Sequence, residues 1–196
     1  QCRQLTTEDL VAAWEINEQG LPGTGRVSHE EMADLFTLSE LAIGVFEEDT
    51  LRGYVLCLLP KTRYGSLNYA WFNQRYDSFL YVDRIAVDQK HRDRGIGSLL
   101  YQRVIEHAAK QSSPVTAEVS LKPPNPGSIR FHLRHGFTEI GTFEHGEKAA
   151  WKEFALKENL SWRYIAFSNH QALIEVSKIN ISLEKEISLY ILFRLL

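Results

Sequence analysis

The stretch that decides the fold is residues 79–110, FLYVDRIAVDQKHRDRGIGSLLYQRVIEHAAK. Its first part, 79–87, is rich in β-branched and aromatic side chains, which predicts a strand. Its last part carries apolar residues at helical spacing, which predicts a helix over 96–110. A basic turn that contains Gly95 and Gly97 joins the two. The sequence therefore predicts a strand, a glycine turn and a helix in direct succession.

Such a turn suits the binding of phosphate. The first N–H groups of a helix have no partner inside the helix, and the helix dipole favours an anion there. Glycine lets a ligand approach the backbone closely because it has no Cβ. Basic residues cluster over 90–94, and this local charge fits a small anionic ligand better than a nucleic acid. We therefore expect a phosphate-containing ligand at this turn and no nucleic-acid partner.

Composition places the chain among ordinary globular proteins. Its 196 residues are enough for one domain with a proper core, and 44% hydrophobic with 24% charged residues is typical of soluble domains. The net charge of -3 argues against a polyanion partner. Cys2 and Cys57 are too few for a disulfide framework, and no Cys/His spacing predicts a metal site. Without a signal-peptide pattern or a long apolar run, we expect a cytoplasmic protein with no membrane partner.

The remaining segments alternate between helix and strand patterns. Capping patterns predict helices after Thr6 and Ser28, and Asn125-Pro126 begins another that Gly136 ends. The predicted strands are a short edge strand over 1–5 and strands over 41–46, 51–59, 115–121, 137–143 and 148–156. This mixed order predicts an α+β (mixed α/β) fold, with one twisted sheet and helices on both of its faces.

Two segments show no clear helix or strand pattern. Residues 60–78 have no clean period and many aromatic rings, which either cover an edge of the core or form a substrate wall. Residues 157–196 are apolar but lack glycine and capping patterns, and 179–196 fits either an amphipathic helix or a pair of strands. We therefore divide the chain into a domain over 1–156 and a C-terminal extension over 157–196. The extension could dock on the domain, mediate association, be poorly ordered, or be an aberrant reading-frame tail. A homodimer is possible.

Two well-known phosphate-binding patterns match this turn poorly. A P-loop ends in Gly-Lys-Ser/Thr, whereas Gly97 is followed by Ser98 and Leu99. A dinucleotide-binding fingerprint needs a third glycine where this chain has Leu100, although Glu118 lies at a suitable distance for its ribose partner. A nucleotide-dependent oxidoreductase is therefore kept only as a third alternative.

A better match involves two separate motifs. The first is Arg92-x-x-Gly95-x-Gly97, preceded on the strand by Ile85-Ala86-Val87. The second is Asn125-Pro126-x-Ser128-x-x-Phe131-His132-x-x-x-Gly136-Phe137. In this order and separation, they resemble the two signatures of the GCN5-related N-acetyltransferase (GNAT) superfamily. The resemblance covers about residues 1–156, and the chain is similar to uncharacterised bacterial predicted acetyltransferases within that superfamily.

The resemblance implies a single GNAT-type domain with a mostly antiparallel sheet of six to seven strands. It also implies acetyl-CoA as cofactor, with the pyrophosphate at the glycine turn and the pantetheine arm along the strand backbone. The implied cofactor-binding residues are Ile85, Ala86, Val87, Arg92, Asp93, Arg94, Gly95, Ile96, Gly97, Ser98, Asn125 and Ser128.

The implied catalytic residues are less uniform. His132 stands where the superfamily often has a tyrosine that protonates the departing thiolate, and histidine can also donate a proton. The alternative is an exposed helix histidine without a role, in which case Tyr101 or Tyr81 would serve. For the base that deprotonates the substrate, we expect Glu118 or Asp83, acting through water.

Strand periodicity adds one expectation about Asp83. A period of two places it on the same strand face as Tyr81 and Ile85. Both this carboxylate and Glu118 could instead be ordinary salt-bridge partners.

The function implied is transfer of an acetyl group from acetyl-CoA to a primary amine of a small molecule or peptide. The amine would attack directly in a ternary complex, with a main-chain N–H near Val87 stabilising the oxyanion. No covalent enzyme intermediate is expected, because both cysteines lie outside the motifs. The alternative is a non-catalytic acyl-CoA-binding sensor or interaction module.

Overall fold

The computed structural model of the chain describes residues 1–144 and 150–156, which lie in one compact unit. Its strands are β1 (Cys2–Gln4), β2 (Leu41–Glu47), β3 (Thr50–Leu58), β4 (Leu80–Val87), β5 (Val115–Ser120), β6 (Thr138–Glu144) and β7 (Ala150–Leu156). Its helices are α1 (Leu10–Gln19), α2 (His29–Leu38), α3 (Leu67–Asn73), α4 (Ile96–Lys110) and α5 (Pro126–Arg134). The expectations for the extension over 157–196 lie outside the described residues.

The described strands form one sheet in the order β1-β2-β3-β4-β5-β7-β6. Only β4 and β5 pair in parallel, and every other pair is antiparallel. The predicted α+β class, with a mostly antiparallel sheet of six to seven strands, is confirmed.

Helices cover both faces of this sheet. On one face, α4 buries Leu100 and Val104 against strand residues such as Val55 and Val82. On the other face, α1 and α2 bury Ala13, Ile16, Met32 and Leu35 against Tyr54 and Leu56. Successive strand residues alternate between the two cores because side chains along a strand alternate in direction.

The predicted helix ends are confirmed by their capping bonds. Ser28 and Glu31 form a capping box at the start of α2. At α5, the side chain of Asn125 accepts from the Ser128 N–H, and Pro126 holds the first helical position. Gly136 follows α5 with a positive φ of 83°, a conformation that glycine adopts without strain.

The segment without a clean period contains α3, which the sequence analysis missed. Ser66 caps this helix by accepting from the Tyr69 N–H. The rings of Tyr69, Trp71 and Phe72 are buried against the sheet. These three rings therefore cover a core edge, as one of the two interpretations held. A seven-residue helix is too short to establish a period.

The sheet opens between β4 and β5. Their ladder comprises only Leu80–Val115, Tyr81–Thr116 and Val82–Ala117. Beyond these pairs, β4 continues along β3 and β5 continues along β7. Two facing strand edges are therefore left without a neighbouring strand.

A bulge in β4 lies where this opening begins. Arg84 pairs with Leu56 and Val82 pairs with Cys57, so Asp83 is the extra residue of the bulge. The extra residue reverses the alternation of side chains, because Tyr81 and Ile85 pack into cores on different faces. The expectation that those two residues share a face with Asp83 is therefore wrong.

Among the helices of the described residues, none combines the length and apolar character needed to cross a bilayer.

Candidate active site

The glycine turn presents a row of main-chain donors. Gly95 is the N-cap of α4 and has a φ of 80°. Its carbonyl accepts from the Leu99 N–H at 2.9 Å, whereas the N–H groups of residues 92–98 donate to no acceptor within the described chain. A Cβ on Gly97 would lie 3.3 Å from the ring of Phe131. The turn thus combines free amides with a close approach of α4 to Phe131, while a Cβ on Gly95 would meet no atom within 4 Å.

The two arginines of the turn have different surroundings. Arg92 donates from Nε to the Val87 carbonyl at 3.3 Å and from Nη2 to the Gln19 carbonyl at 3.1 Å. It therefore fastens the turn to the ends of β4 and α1. Arg94 is exposed and forms no ion pair or hydrogen bond with the residues that the structure describes. Asp93, between them, has a φ of 60°, which aspartate tolerates better than most residues.

The open edge of β4 offers the backbone groups of alternate residues. The Asp88 N–H donates to the Arg52 carbonyl on β3 at 2.9 Å. In an antiparallel ladder, every second residue makes such bonds, so Ala86 also faces β3. The main-chain groups of Ile85 and Val87 therefore face the opening.

Two carboxyl groups stand where the opening begins. Glu118 directly follows the last paired residue of β5, and Asp83 directly follows that of β4. Glu118 Oε1 accepts from the Tyr81 hydroxyl at 2.7 Å and from Asn68 Nδ2 at 3.4 Å. Glu118 Oε2 is buried and has no hydrogen-bond partner among the described residues.

Burial raises the pKa of Glu118 to about 8. The hydrogen bonds from Tyr81 and Asn68 oppose this rise, and the nearby Asp83 carboxylate adds to it. A carboxyl group with such a pKa can exchange protons near neutral pH.

Asp83 lies in a different environment, because it is paired. Its Oδ2 atom lies 2.7 Å from Arg84 Nε, and the two side chains are 3% and 5% exposed. Arg84 Nη1 also donates to Asn17 Oδ1 at 3.2 Å and to the Gly25 carbonyl at 3.4 Å. Burial alone would lower the pKa of the Arg84 guanidinium, but the Asp83 carboxylate raises it above its usual value. The pair connects the β4 bulge to the α1–α2 loop.

His132 is a core residue with both ring nitrogens engaged. It is 3% exposed, so the alternative of an exposed helix histidine is wrong. Nδ1 lies 2.8 Å from the Ser128 carbonyl, which can only accept, and Nε2 lies 2.6 Å from the Tyr101 hydroxyl. Nδ1 therefore carries the hydrogen, and Nε2 accepts from Tyr101. Burial lowers the pKa of His132 to about 4, so the ring is neutral at pH 7.

The two sequence motifs meet between α4 and α5. Ser98 Oγ lies 3.1 Å from His135 Nε2, and Gly97 adjoins the ring of Phe131. A Cβ on Gly23 would lie 2.9 Å from Asn125 Nδ2, so the α1–α2 loop reaches the start of α5. The turn, the opening and the start of α5 therefore belong to one region.

Sequence reasoning missed three polar residues of this region, Asn17, Asn68 and Arg84. Ser66, three residues before Tyr69, was the available signal for α3 and hence for Asn68. The sequence carried no comparable signal for Asn17, since an asparagine inside an amphipathic helix is usually solvated.

Comparison with known proteins agrees with this geometry. The family model described as "Acetyltransferase (GNAT) family" matches residues 10–137. The chain therefore belongs to the GNAT acetyltransferase family, and the resemblance seen in its motifs is confirmed. No curated protein matches the chain in sequence.

Solved structures share the fold at low identity. The ribosomal-protein-S18-alanine N-acetyltransferase from Escherichia coli has a TM-score of 0.62 and 17% identity over 82% of this chain and 94% of its own. Ard1 from Thermoplasma volcanium has a TM-score of 0.64 and 16% identity, covering 80% and 95%. Arabidopsis thaliana NAA60 in complex with acetyl-CoA has a TM-score of 0.64 and 17% identity, covering 80% and 98%.

Proposed function

We propose that the chain transfers an acetyl group from acetyl-CoA to a primary amine by direct attack in a ternary complex. The observation that carries the proposal is the opening between β4 and β5, which has the glycine turn near one end and the unpaired Glu118 carboxyl oxygen where it begins. Family membership and a similar structure that contains acetyl-CoA support this donor.

The residues present fit the donor molecule. The free N–H groups of residues 92–98 match the pyrophosphate, and Arg94 adds positive charge. The main-chain groups of Ile85 and Val87 match an amide-rich arm that lies like an additional strand. Ala86 lies between these two residues and pairs with β3 instead. The Asn125 side chain accepts from the Ser128 N–H and so caps the start of α5.

Glu118 is the proton acceptor in this proposal. When bound, acetyl-CoA supplies a thioester whose acetyl carbon forms the new C–N bond while its C–S bond breaks. Glu118 Oε2 takes a proton from the substrate ammonium, directly or through water, so that the nitrogen lone pair becomes available. A cationic substrate beside Glu118 lowers its pKa, which favours the ionised form that accepts this proton.

The other polar groups have supporting roles. The Val87 N–H faces the opening and stabilises the oxyanion. Asp83 remains the second candidate base, although its pairing with Arg84 favours an electrostatic role. His132 is still the predicted general acid, but its neutral ring donates its one N–H to the Ser128 carbonyl, which argues against direct proton transfer to the thiolate.

The acceptor class stays broad. Similar folds include a ribosomal-protein-S18-alanine N-acetyltransferase and a Naa50 bound to a bisubstrate analogue that carries a peptide. Peptide amines therefore belong in a substrate panel beside small-molecule amines.

The test combines binding with turnover. Calorimetry should show acetyl-CoA binding, and thiol release across the amine panel should depend on one amine class. Glu118→Gln should bind acetyl-CoA normally but lose turnover by about 10²-fold or more. Binding of acetyl-CoA without release of its thiol in the presence of any amine would favour the alternative of an acyl-CoA sensor. The hydrogen bonds at both ring nitrogens of His132 also favour that alternative. No binding of acetyl-CoA would refute both.

A further inference from the structure

An inserted helix connects the two central antiparallel strands. β3 ends at Leu58 and β4 begins at Leu80, and the connection between them contains α3. The rings of Tyr69 and Phe72 fasten this helix to the sheet beside Tyr81. The insertion is therefore part of the core and has a fixed position relative to β4.

The polar residue of this helix reaches the proposed base. Asn68 is 7% exposed, and its Nδ2 atom lies 3.4 Å from Glu118 Oε1. The Tyr81 hydroxyl donates to the same oxygen at 2.7 Å. Both donors therefore bind Oε1 of Glu118, while the buried Oε2 has no donor among the described residues.

We propose that α3 is part of the active site, where Asn68 and Tyr81 hold Glu118 Oε1 and so make Oε2 the oxygen that exchanges a proton with the amine. This inference rests on the proposed role of Glu118 as proton acceptor. Asn68 and Tyr81 act as positioning residues, because they touch the base and not the reacting atoms.

The chemistry follows from the asymmetry between the two oxygens. Two donors on Oε1 stabilise negative charge there, so the proton of the neutral acid resides on Oε2. The same bonds fix the rotation of the carboxyl group, which keeps Oε2 directed at one point. A freely rotating carboxyl group would present either oxygen and would lose this alignment.

Other titratable groups lie near Glu118 and affect its charge state. Asp83 on β4 raises the pKa of Glu118, while Arg84 offsets part of that charge. Burial raises the pKa values of the Tyr64 and Tyr101 hydroxyls, and the nearby Glu118 carboxylate adds to both increases. On β7, the backbone of Glu153 pairs in register with that of Glu118. Among the described groups, the donors to Oε1 oppose the rise in the pKa of Glu118.

A purely structural role for Asn68 is the competing explanation, and α3 provides a matched control. Asn73 lies on the same helix, accepts from the Lys61 N–H at 2.8 Å and donates to the Tyr69 carbonyl at 3.1 Å. It makes no hydrogen bond with Glu118. Asn73→Leu therefore disturbs the helix without changing the donors on Oε1.

The experiment is a carboxyl titration by NMR on the full chain labelled with ¹³C at glutamate carboxyl carbons. Glu118→Gln identifies the Glu118 signal by its loss. We expect Asn68→Leu and Tyr81→Phe each to raise the titration midpoint of that signal by about half a pH unit or more. Asn68→Asp should raise it further, because it places a like charge beside the carboxyl group. Asn73→Leu should lower the melting temperature and leave the midpoint unchanged.

An unchanged midpoint in folded Asn68→Leu, or an equal shift in Asn73→Leu, would overturn the inference. If Asn68→Leu does not fold, the titration midpoint of Glu118 in Asn68→Asp is compared with that in the wild type. An unchanged midpoint in that variant would overturn the inference. Failure of the proposed function is recognised separately, as full turnover by Glu118→Gln or as no binding of acetyl-CoA to the wild-type chain. Neither of those results would alter the titration midpoints.

Discussion

Arg84 Nε lies 2.7 Å from Asp83 Oδ2, and both side chains are almost completely buried at the point where the sheet opens. A buried charge is tolerated when it is paired and hydrogen-bonded, and this pair meets both conditions through Asn17 and Gly25. The candidate active site therefore contains one carboxylate that is paired with a cation and one carboxyl group, Glu118, that is not, within the same short stretch of sheet.

Removing Arg84 should be far more damaging than removing an exposed arginine. Arg84→Leu leaves the Asp83 carboxylate buried without a partner, and we expect a loss of about 3–5 kcal/mol in the free energy of unfolding. The matched control is Arg63→Leu, which removes a 2.6 Å pair with Asp34 whose side chains are 71% and 43% exposed. That change should cost less than about 1 kcal/mol. Urea unfolding of both variants measures the difference, and equal losses would contradict the prediction.

Glu118→Gln should make the protein less sensitive to rising pH. Folding raises the pKa of Glu118 from 4.5 to about 8, so the folded state holds its proton more tightly than the unfolded state does. The resulting stabilisation is complete below about pH 4.5 and is lost as pH rises to about 8. The free energy of unfolding of Glu118→Gln minus that of the wild type should therefore increase from pH 5 to pH 8, by at most about 1.4 kcal/mol per pH unit.

The control for that measurement is Glu15→Gln, which changes an exposed carboxyl group on α1. The gain of Glu118→Gln over the wild type should exceed any change in Glu15→Gln over the same range. A constant difference between Glu118→Gln and the wild type would show that the Glu118 carboxyl group titrates alike in the folded and unfolded chains.

His132 should give the opposite dependence on pH. Its pKa falls from 6.5 to about 4 on folding, so its stabilisation is present above pH 6.5 and is lost as pH falls towards 4. His132→Gln does not titrate, and we expect the wild type to lose stability relative to it between pH 6.5 and pH 4. Thermal unfolding across this range tests the prediction, with His29→Gln as an exposed control.

Activity tests the catalytic prediction for His132 separately. If His132 supplies the proton to the departing thiolate, His132→Ala should lower kcat by about 10²-fold and change its pH profile. An unchanged kcat and pH profile would leave this histidine with a structural role only.

Gly95→Ala should weaken acetyl-CoA binding with little effect on packing. A Cβ at this position meets no atom within 4 Å, but the φ of 80° costs an alanine about 1 kcal/mol. Because the same turn carries the free amides, we expect the affinity for acetyl-CoA to fall about fivefold or more by calorimetry. Gly65→Ala is the control, since its Cβ also meets nothing and its φ is not positive. Equal affinities of the two variants would refute the role of the turn.

Local features of the site were predictable from the sequence. Gly95 and Gly97 indicate a turn and a helix start through their own backbone freedom, and Asn125-Pro126 indicates a cap through neighbouring atoms. The contacts of Glu118 were not predictable, because Tyr81 and Asn68 are 37 and 50 residues away along the chain. The bulge at Asp83 was missed for a related reason, since strand pairing and not local periodicity determines it. The burial of His132 likewise depends on Phe137 and Phe154, which surround its ring.

The short β4–β5 ladder has a mechanical consequence. Three residue pairs are the only strand pairing between β1–β4 and the group of β5, β6 and β7 within the described sheet. A ligand whose amides form hydrogen bonds with both edges of the gap would connect β1–β4 to β5, β6 and β7. Amide hydrogen exchange in β5 and β7 should therefore slow when such a ligand binds, because the ligand would add to the cohesion of the sheet.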